Sequence, residues 1–520
     1  MTFHFAVPEL AAAQPTVAEP QHAKALAGHL DHLGQAAALQ ALCQYLHESN
    51  RLPLRPEDRL QALEALQPAT ERLLEDLANL YITHRLPLTG EARDAAAQAR
   101  SLLIELGYGY KRVLMEYTHK LTTEGRRTLP FLLSRLMRVL ATSLSSAYST
   151  YSPTPAGTWQ ELHQLYHYAS FYGLDRHALN AGEDGQPPAT LASIYREVLL
   201  FALIDPYHLQ PGEARTVQIL VGHFQRFLQI EPYREDENGA GLFLIQTSQD
   251  KPPRPLSMMG GTVIAPMDKL LDARELIQYV HLVRQRYEDG DNTELAALPI
   301  TEGRLALLAL LTRLERHWSS PPRRAFHRQP GRHVLELAPG LQAIAALAAP
   351  DLSAPAADGR RPVSLPGGAG RNSQASERWQ VINESPGGLA LRQDSKVPTR
   401  VVVGEQIAVR HAESGAWQPG VVRWVHDAPD SVLECGVQLQ APRLQVLTLR
   451  LDAADSPARP ALQLPALANL QRPALLVLAR GSFGAGRQCW VNGPEGTAVL
   501  RMTRLEDHTQ SVEMVEFKPA

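Results

Sequence analysis

The sequence predicts an α+β multidomain protein in which a large all-α N-terminal domain is followed by a small antiparallel β-barrel and a C-terminal β extension. Three observations carry this expectation. Apolar residues return at three- and four-residue steps from about 22 to 320; the consecutive prolines Pro321 and Pro322 end that pattern; beyond them, β-branched residues alternate with polar ones between turn residues. A chain of 520 residues is also too long for one ordinary core.

Residues 1–21 carry prolines and small residues without periodicity and read as a disordered tail. The helical domain follows over 22–320. Its stretches HAKALAGHLDHLGQAAALQALCQYLHE and PEDRLQALEALQPATERLLEDLANLYITHR read as two successive amphipathic helices. GEARDAAAQARSLLIELGYGYKRVLMEYTHKL and LPFLLSRLMRVLATSLSSAYSTY are more strongly apolar, as expected in the middle of a bundle. Near 232–265 alternating apolar residues flanked by Gly and Pro suggest a small β-hairpin, after which LLDARELIQYVHLVRQRYEDG and ITEGRLALLALLTRLERHW return to helix.

The barrel is expected over 321–441. Its strands are read from HVLELAPG, RWQVINESPGGLALRQ, TRVVVGEQIAVRH, QPGVVRWVHD and SVLECGVQLQ, and the stretch 350–376, rich in Pro, Gly, Ala and Ser, reads as a flexible insertion. Residues 442–520 alternate again and are expected to form a second β unit packed on the first.

Hydrophobic residues at 44% and charged ones at 20% place the chain among globular proteins, and a formal net charge of -3 supplies no global field for a nucleic-acid polymer. Three distant cysteines, Cys43, Cys435 and Cys489, give neither a disulfide framework nor metal-ligand spacing, which fits a reducing compartment. The first residues lack the pattern of a signal peptide, and no apolar run reaches the ~18 residues of a membrane span. A cytoplasmic protein without a transmembrane segment is expected.

Two short motifs carry chemistry. In PPRRAFHRQPGRHVLEL, Arg324 and Arg328 stand four apart just before the first strand, and in WQVINESPGGLAL, Asn383, Ser385 and Gly388 occupy a strand-turn-strand corner. Arginine offers a planar fork that bonds bidentately to phosphate or a guanine edge and stacks on a purine. Asn383 and Ser385 supply short polar groups, and Gly387 with Gly388 allows backbone to approach a ligand.

This pair of motifs resembles the PilZ family, whose domains carry RxxxR on the linker entering a small barrel and [D/N]xSxxG on its surface. VGEQIAV, GVVRWVHD and ECGVQL follow in the family's order, so the resemblance covers about 321–441 and leaves the helical domain unrecognised. It implies that the bacterial second messenger cyclic di-GMP is the ligand, bound by Arg323, Arg324, Arg328, Asn383, Ser385, Gly387 and Gly388, with Arg332 as a secondary contact and no cofactor. It further implies a receptor that couples messenger level to motility, surface attachment, pili or exopolysaccharide. The output would pass through an unidentified protein partner held by the helical domain. The alternative is a PilZ-like scaffold or assembly protein that has lost ligand binding. Two departures stand out: the gap from Arg328 to Asn383 is long, and Asn383 stands where Asp is common, leaving an amide oxygen as acceptor.

Other candidates read as structural. His163 and His167 are one helical turn apart, but Gln164 replaces the glutamate of a zinc-protease motif. GSFGAGR at 481–487 lacks the ending of a phosphate loop and lies among strands. Trp379 and Trp424 sit in barrel strands where rings fill core or rim, Trp424 being the one near the expected purine site. No nucleophile-base or paired-carboxylate signature suggests an enzyme.

Overall fold

A computed structural model describes residues 2–11, 20–82, 86–88, 90–120, 123–179, 188–234, 239–261, 263–319, 327–348, 376–393, 401–411, 415–428, 432–468, 471–494 and 496–520. The first amphipathic stretch is two helices, α1 (Pro20–Leu30) and α2 (Gln35–Ser49), because Gly34 interrupts it in an extended conformation. α3 (Pro56–Tyr81) begins with proline at its first position and Glu57 and Asp58 in its first turn, where a missing N–H costs nothing and the helix dipole favours acid. α4 (Gly90–His119) lies against α3 and against α5 (Thr123–Ser149). Small residues allow this close packing: a side chain at Gly109 would put a Cβ 2.8 Å from Leu63.

α6 (Thr158–Phe171), α7 (Leu191–Leu203) and α8 (Glu213–Phe224) continue the bundle, α7 starting in a capping box between Thr190 and Ser193. Where a single hairpin is expected near 232–265, the structure has a four-stranded sheet of β1 (Gln229–Pro232), β2 (Leu242–Ile245), β3 (Arg254–Pro255) and β4 (Lys269–Asp272) in the order β1-β4-β2-β3. β4 reads as helix in the sequence because its apolar pair Leu270 and Leu271 directly precedes an amphipathic run and looks like its first turn. α9 (Arg274–Glu288), α10 (Thr293–Ala296) and α11 (Arg304–Ser319) complete the domain.

The tail is also corrected. Phe3 and Phe5 are buried, with their rings stacked at 5.0 Å and Phe3 4.8 Å from Tyr168, and the Arg112 guanidinium donates to the Pro8 carbonyl. Burial of two aromatic rings outweighs the lack of periodicity in residues 2–11.

The first barrel contains β5 (Gln329–Pro330), β6 (Val334–Pro339), β7 (Glu377–Ser385), β8 (Gly388–Gln393), β9 (Gln406–His411), β10 (Gln418–Ala428) and β11 (Val432–Leu439). The sheet order is β5-β7-β6-β9-β10-β11-β8, and pairing of β7 with β8 closes β6 to β11 into a ring with β5 laid on β7. A helix that the sequence reading lacks, α12 (Gly340–Ala348), follows β6; the insertion expected at 350–376 lies, up to residue 375, outside the described residues. The ring interior holds Trp379, Val381, Leu391, Val422 and Cys435, and this core is continuous with that of the helical domain.

The C-terminal unit is a closed barrel of its own: β12 (Gln445–Leu451), β13 (Arg459–Leu464), β14 (Leu475–Ala479), β15 (Gln488–Gly493), β16 (Gly496–His508) and β17 (Val512–Pro519), in the order β12-β13-β14-β17-β16-β15. Between the barrels α12 acts as a wedge, burying Leu341 and Ile344 with Trp417 against Leu462, Leu464 and Val477. All three units meet at buried Gln210. Its side-chain oxygen accepts from the Gln510 backbone N–H at 2.6 Å, it packs on Gly404, and the Ser511 hydroxyl donates to the Gly404 carbonyl at 2.9 Å. Only glycine fits at 404, where φ is +83 and a Cβ would stand 2.7 Å from the Gln210 oxygen.

Candidate ligand-binding site

The Asn-Ser-Gly corner depends on a β-bulge. In an unbroken strand Val381 and Asn383 would share a face, and Val381 is fully buried inside the ring. The register against β8 shifts between them, Val381 facing Leu391 and Asn383 facing Ala390, so the extra residue Ile382 turns Asn383 to the outer face. There its Oδ1 is buried and has no hydrogen-bond partner among the described residues. A buried acceptor left unpaired is costly, of order 1–3 kcal/mol, and can accept from an incoming donor.

β5 brings the arginine motif to the same corner. Pro330 pairs with Asn383 and Gln329 with Glu384, so the continuing register sets Arg328 beside Ser385. Gly331 makes this possible: its N–H donates to the Ile382 carbonyl at 3.0 Å, and a Cβ there would lie 2.6 Å from the Val381 side chain. Arg328 and Arg332 are exposed. Arg323 and Arg324 lie outside the described residues.

Ser385 pairs with Gly388 across the tight turn at Pro386 and Gly387, its hydroxyl donating to the Gly388 carbonyl at 3.3 Å, while the Gly387 carbonyl accepts from the Leu439 N–H at 3.1 Å. Gly388 is required for close approach, since a Cβ would come 2.5 Å from the Val437 carbonyl oxygen of β11. The corner is thereby fixed by backbone on both sides.

One part of the surface was only half visible in the sequence. Asn383 pairs with Ala390, Ala390 with Gly436, and Gly436 with Trp424, forming a row across four strands of the outer face. The indole lies on Gly436, where a Cβ would stand 1.8 Å from its Nε1. An amide at one end, a half-buried indole at the other and the two smallest residues between them make a shallow floor suited to a flat ring. Trp424 was singled out from sequence as a lesser candidate; Ala390 and Gly436 were not, because only the strand register makes them neighbours. Around this floor Arg392 pairs with Glu434 at 2.6 Å, His333 faces Glu384 at 3.9 Å, and Arg423 reaches Asp507 of the second barrel at 3.0 Å.

The remaining candidates are held internally. His163 is fully buried between the Tyr195 hydroxyl at 2.6 Å and the Lys251 carbonyl at 2.9 Å, and burial lowers its pKa. In GSFGAGR, the backbone N–H groups of Gly481, Ser482 and Phe483 all donate to the buried Glu513 carboxylate, at 2.9, 3.0 and 2.8 Å. That loop binds an anion, but the anion belongs to the chain itself. No helix among the described residues is long and apolar enough to cross a membrane.

Comparison with known proteins matches the chain in three segments. Residues 21–235 match the model of the N-terminal domain of the cyclic-di-GMP receptor FimW, 366–445 that of its middle PilZ domain, and 445–520 that of its C-terminal β-barrel domain. The helical domain that motif reading left unrecognised thus has a family model of its own. The PilZ match begins after β6, so the arginine motif precedes it. A curated relative, the cyclic-di-GMP receptor FimW of Pseudomonas aeruginosa, is 25% identical over 562 aligned residues covering 97% of this chain and 91% of the relative. The closed ring and the Asn-Ser-Gly corner agree with this match, so the part of the first barrel within residues 366–445 is similar to the PilZ domain of a cyclic-di-GMP receptor.

Proposed function

We propose that this chain is a receptor for cyclic di-GMP that binds the dinucleotide on the outer face of the first barrel. The observation that carries the reading is the meeting of the two motifs: β5 lies antiparallel on the bulged end of β7, bringing Arg328 alongside the corner where the Asn383 acceptor is unpaired among the described residues. A guanine N–H suits the Asn383 oxygen, the row from Asn383 to Trp424 suits a purine face, and Arg328 with Arg323 and Arg324 suits the phosphates or the second guanine. Ser385, Gly387 and Gly388 supply the corner on which backbone and hydroxyl approach the ligand. The relative at 25% identity is itself named a cyclic-di-GMP receptor, which supports the same ligand here.

Closure of the arginine linker over the ligand is the switching event in this reading. The linker leaves the last turn of α11, and β10, two residues beyond Trp424, meets the helical domain at His426, whose ring stands edge-on to Tyr207 at 5.7 Å. The continuous core and the Gln210 junction oppose a wide swing, so the response is a tightening at the His426–Tyr207 contact, read by a protein partner. By family resemblance the output is control of motility, surface attachment, pili or exopolysaccharide.

Isothermal titration of the full chain with cyclic di-GMP tests the reading, alongside Arg328→Ala and Ser385→Ala. Saturable heat that both variants abolish or weaken by roughly 10- to 100-fold, in line with loss of charge-assisted hydrogen bonds, is expected. Absence of heat with folded protein would replace the receptor by the scaffold.

A further inference from the structure

The helical domain contains a slot that no part of the nucleotide reading uses. α3 and α5 run parallel and are tied at two points. In the first half of α3 and at the middle of α5 the Arg135 guanidinium grips the Glu64 carboxylate, at 2.5 Å for its closest pair, and the Tyr110 hydroxyl donates to the same carboxylate at 2.7 Å. Near their ends the Tyr81 and Ser146 hydroxyls stand 3.2 Å apart. Between these ties the helices part over α4, whose Ala99, Leu103 and Leu106 form the floor, and α7 and α8 continue the wall beyond α5. The cavity measures about 570 Å³. Along α3 it extends from Gln67 to Ile82, about 20 Å or about four helical turns.

Its walls divide by chemistry. The depth is apolar, with Leu74, Val139 and Val198, whereas Glu71 and Glu75 stand exposed one turn apart on one lip and half-buried Glu197 faces the cavity from α7. Burial pushes the Glu197 carboxyl up, opposed by the charge of Arg138, so a further cation beside it would recover charge that burial disfavours. Arg135, the other cation on the lining, is taken by Glu64.

We propose that this slot receives one amphipathic helix of a partner protein, its apolar face on the α4 floor and its lysine or arginine side chains at Glu71, Glu75 and Glu197. A slot of about four turns between parallel helices takes apolar anchors at i, i+3, i+4 and i+7, and the acidic lips select a basic helix over an acidic one. The proposal supplies the partner chemistry for the receptor reading but stands on the helical domain alone, so the two fail or survive separately.

The test places p-benzoylphenylalanine at Ala78 or Thr142 in the slot, and at Arg286 on α9 as control, in the full chain. It is illuminated in the cells that naturally carry this chain, and the adducts are mapped by mass spectrometry. The expected result is an adduct from the slot positions only, in a segment with apolar residues at helical spacing and flanking Lys or Arg. A synthetic peptide of that segment should bind the full chain and lose at least ten-fold in affinity to Glu197→Lys and to the exposed pair Glu71→Lys with Glu75→Lys. Adducts confined to this chain, a second copy or lipid, labelling equal to the control, or peptide affinity indifferent to the charge reversals would overturn it. An unchanged circular dichroism spectrum and urea midpoint show that the charge-reversed variants are folded whether or not the chain binds nucleotide, and titration with cyclic di-GMP separates loss of the slot from loss of the receptor.

Discussion

The two barrels of this protein treat a glycine-rich corner in opposite ways. In the second barrel the three N–H groups of the 481–483 loop converge on Glu513, so the backbone donors that might hold an anion are already satisfied, and of that loop's side chains the buried Ser482 hydroxyl is left without a partner among the described residues. In the first, the bulge in β7 turns Asn383 outward with its oxygen unpaired among the described residues, beside a floor of Ala390 and Gly436. Glycines in a loop therefore say little about binding. What separates a site from a turn is whether its polar groups already have partners within the chain.

The largest effect should come from the closed loop. Glu513→Ala removes a buried carboxylate that accepts from three N–H groups, that of Ser482 being buried, and is expected to cost about 4 kcal/mol in urea unfolding, roughly the sum of three hydrogen bonds to a charged group, while leaving nucleotide binding intact. A loss under about 1 kcal/mol would mean that the loop is not held by this carboxylate.

A buried histidine of the helical domain comes next. His317, in the last turn of α11, is held neutral by burial and by the neighbouring His208 charge, its pKa lowered to about 4. The unfolded chain then binds the proton more readily, so stability present above about pH 6.5 is lost as pH falls toward 4, by up to about 3 kcal/mol. Urea midpoints at pH 7 and pH 4.5 should converge in His317→Gln more than in the parent; equal slopes would remove His317 from the account.

Asn383→Leu sharpens the comparison directly. Because the lost oxygen has no described partner, stability should hold within about 0.5 kcal/mol or rise, whereas affinity for cyclic di-GMP should fall roughly 10- to 50-fold. A marked destabilisation would show that this corner, like the Glu513 loop, is internally satisfied. The smallest effect is expected for Trp424→Ala, which removes one end of the floor and should weaken nucleotide binding about ten-fold, the scale of one stacked base, by the same titration.

Much of the architecture was legible because periodicity survives in local sequence: the long runs of α3, α4 and α11, and the alternation through β7 to β11. The reading failed where local signals conflict or are absent. Gly34 broke one apparent helix into two, Leu270 and Leu271 read as helix although they form a strand, and Phe3 and Phe5 were assigned to a tail. Of the site, the arginine pair and the Asn-Ser-Gly corner stood out as short strings of residues with demanding chemistry. Trp424 was visible but unplaced, and Ala390 and Gly436 carried no chemical signal at all.

The sequence by itself determined the order of a helical domain and two β units, the turn chemistry of the corner and the residue types that suit a dinucleotide, since these rest on contacts within a few positions along the chain. Tertiary structure alone decided that Ile382 bulges, that Pro330 lies against Asn383, that Glu513 fills the second loop, and that α3 and α5 part over α4. Each of these depends on the register or packing of segments remote in sequence, where a shift of one residue exchanges the inner face for the outer, and no local pattern records that choice.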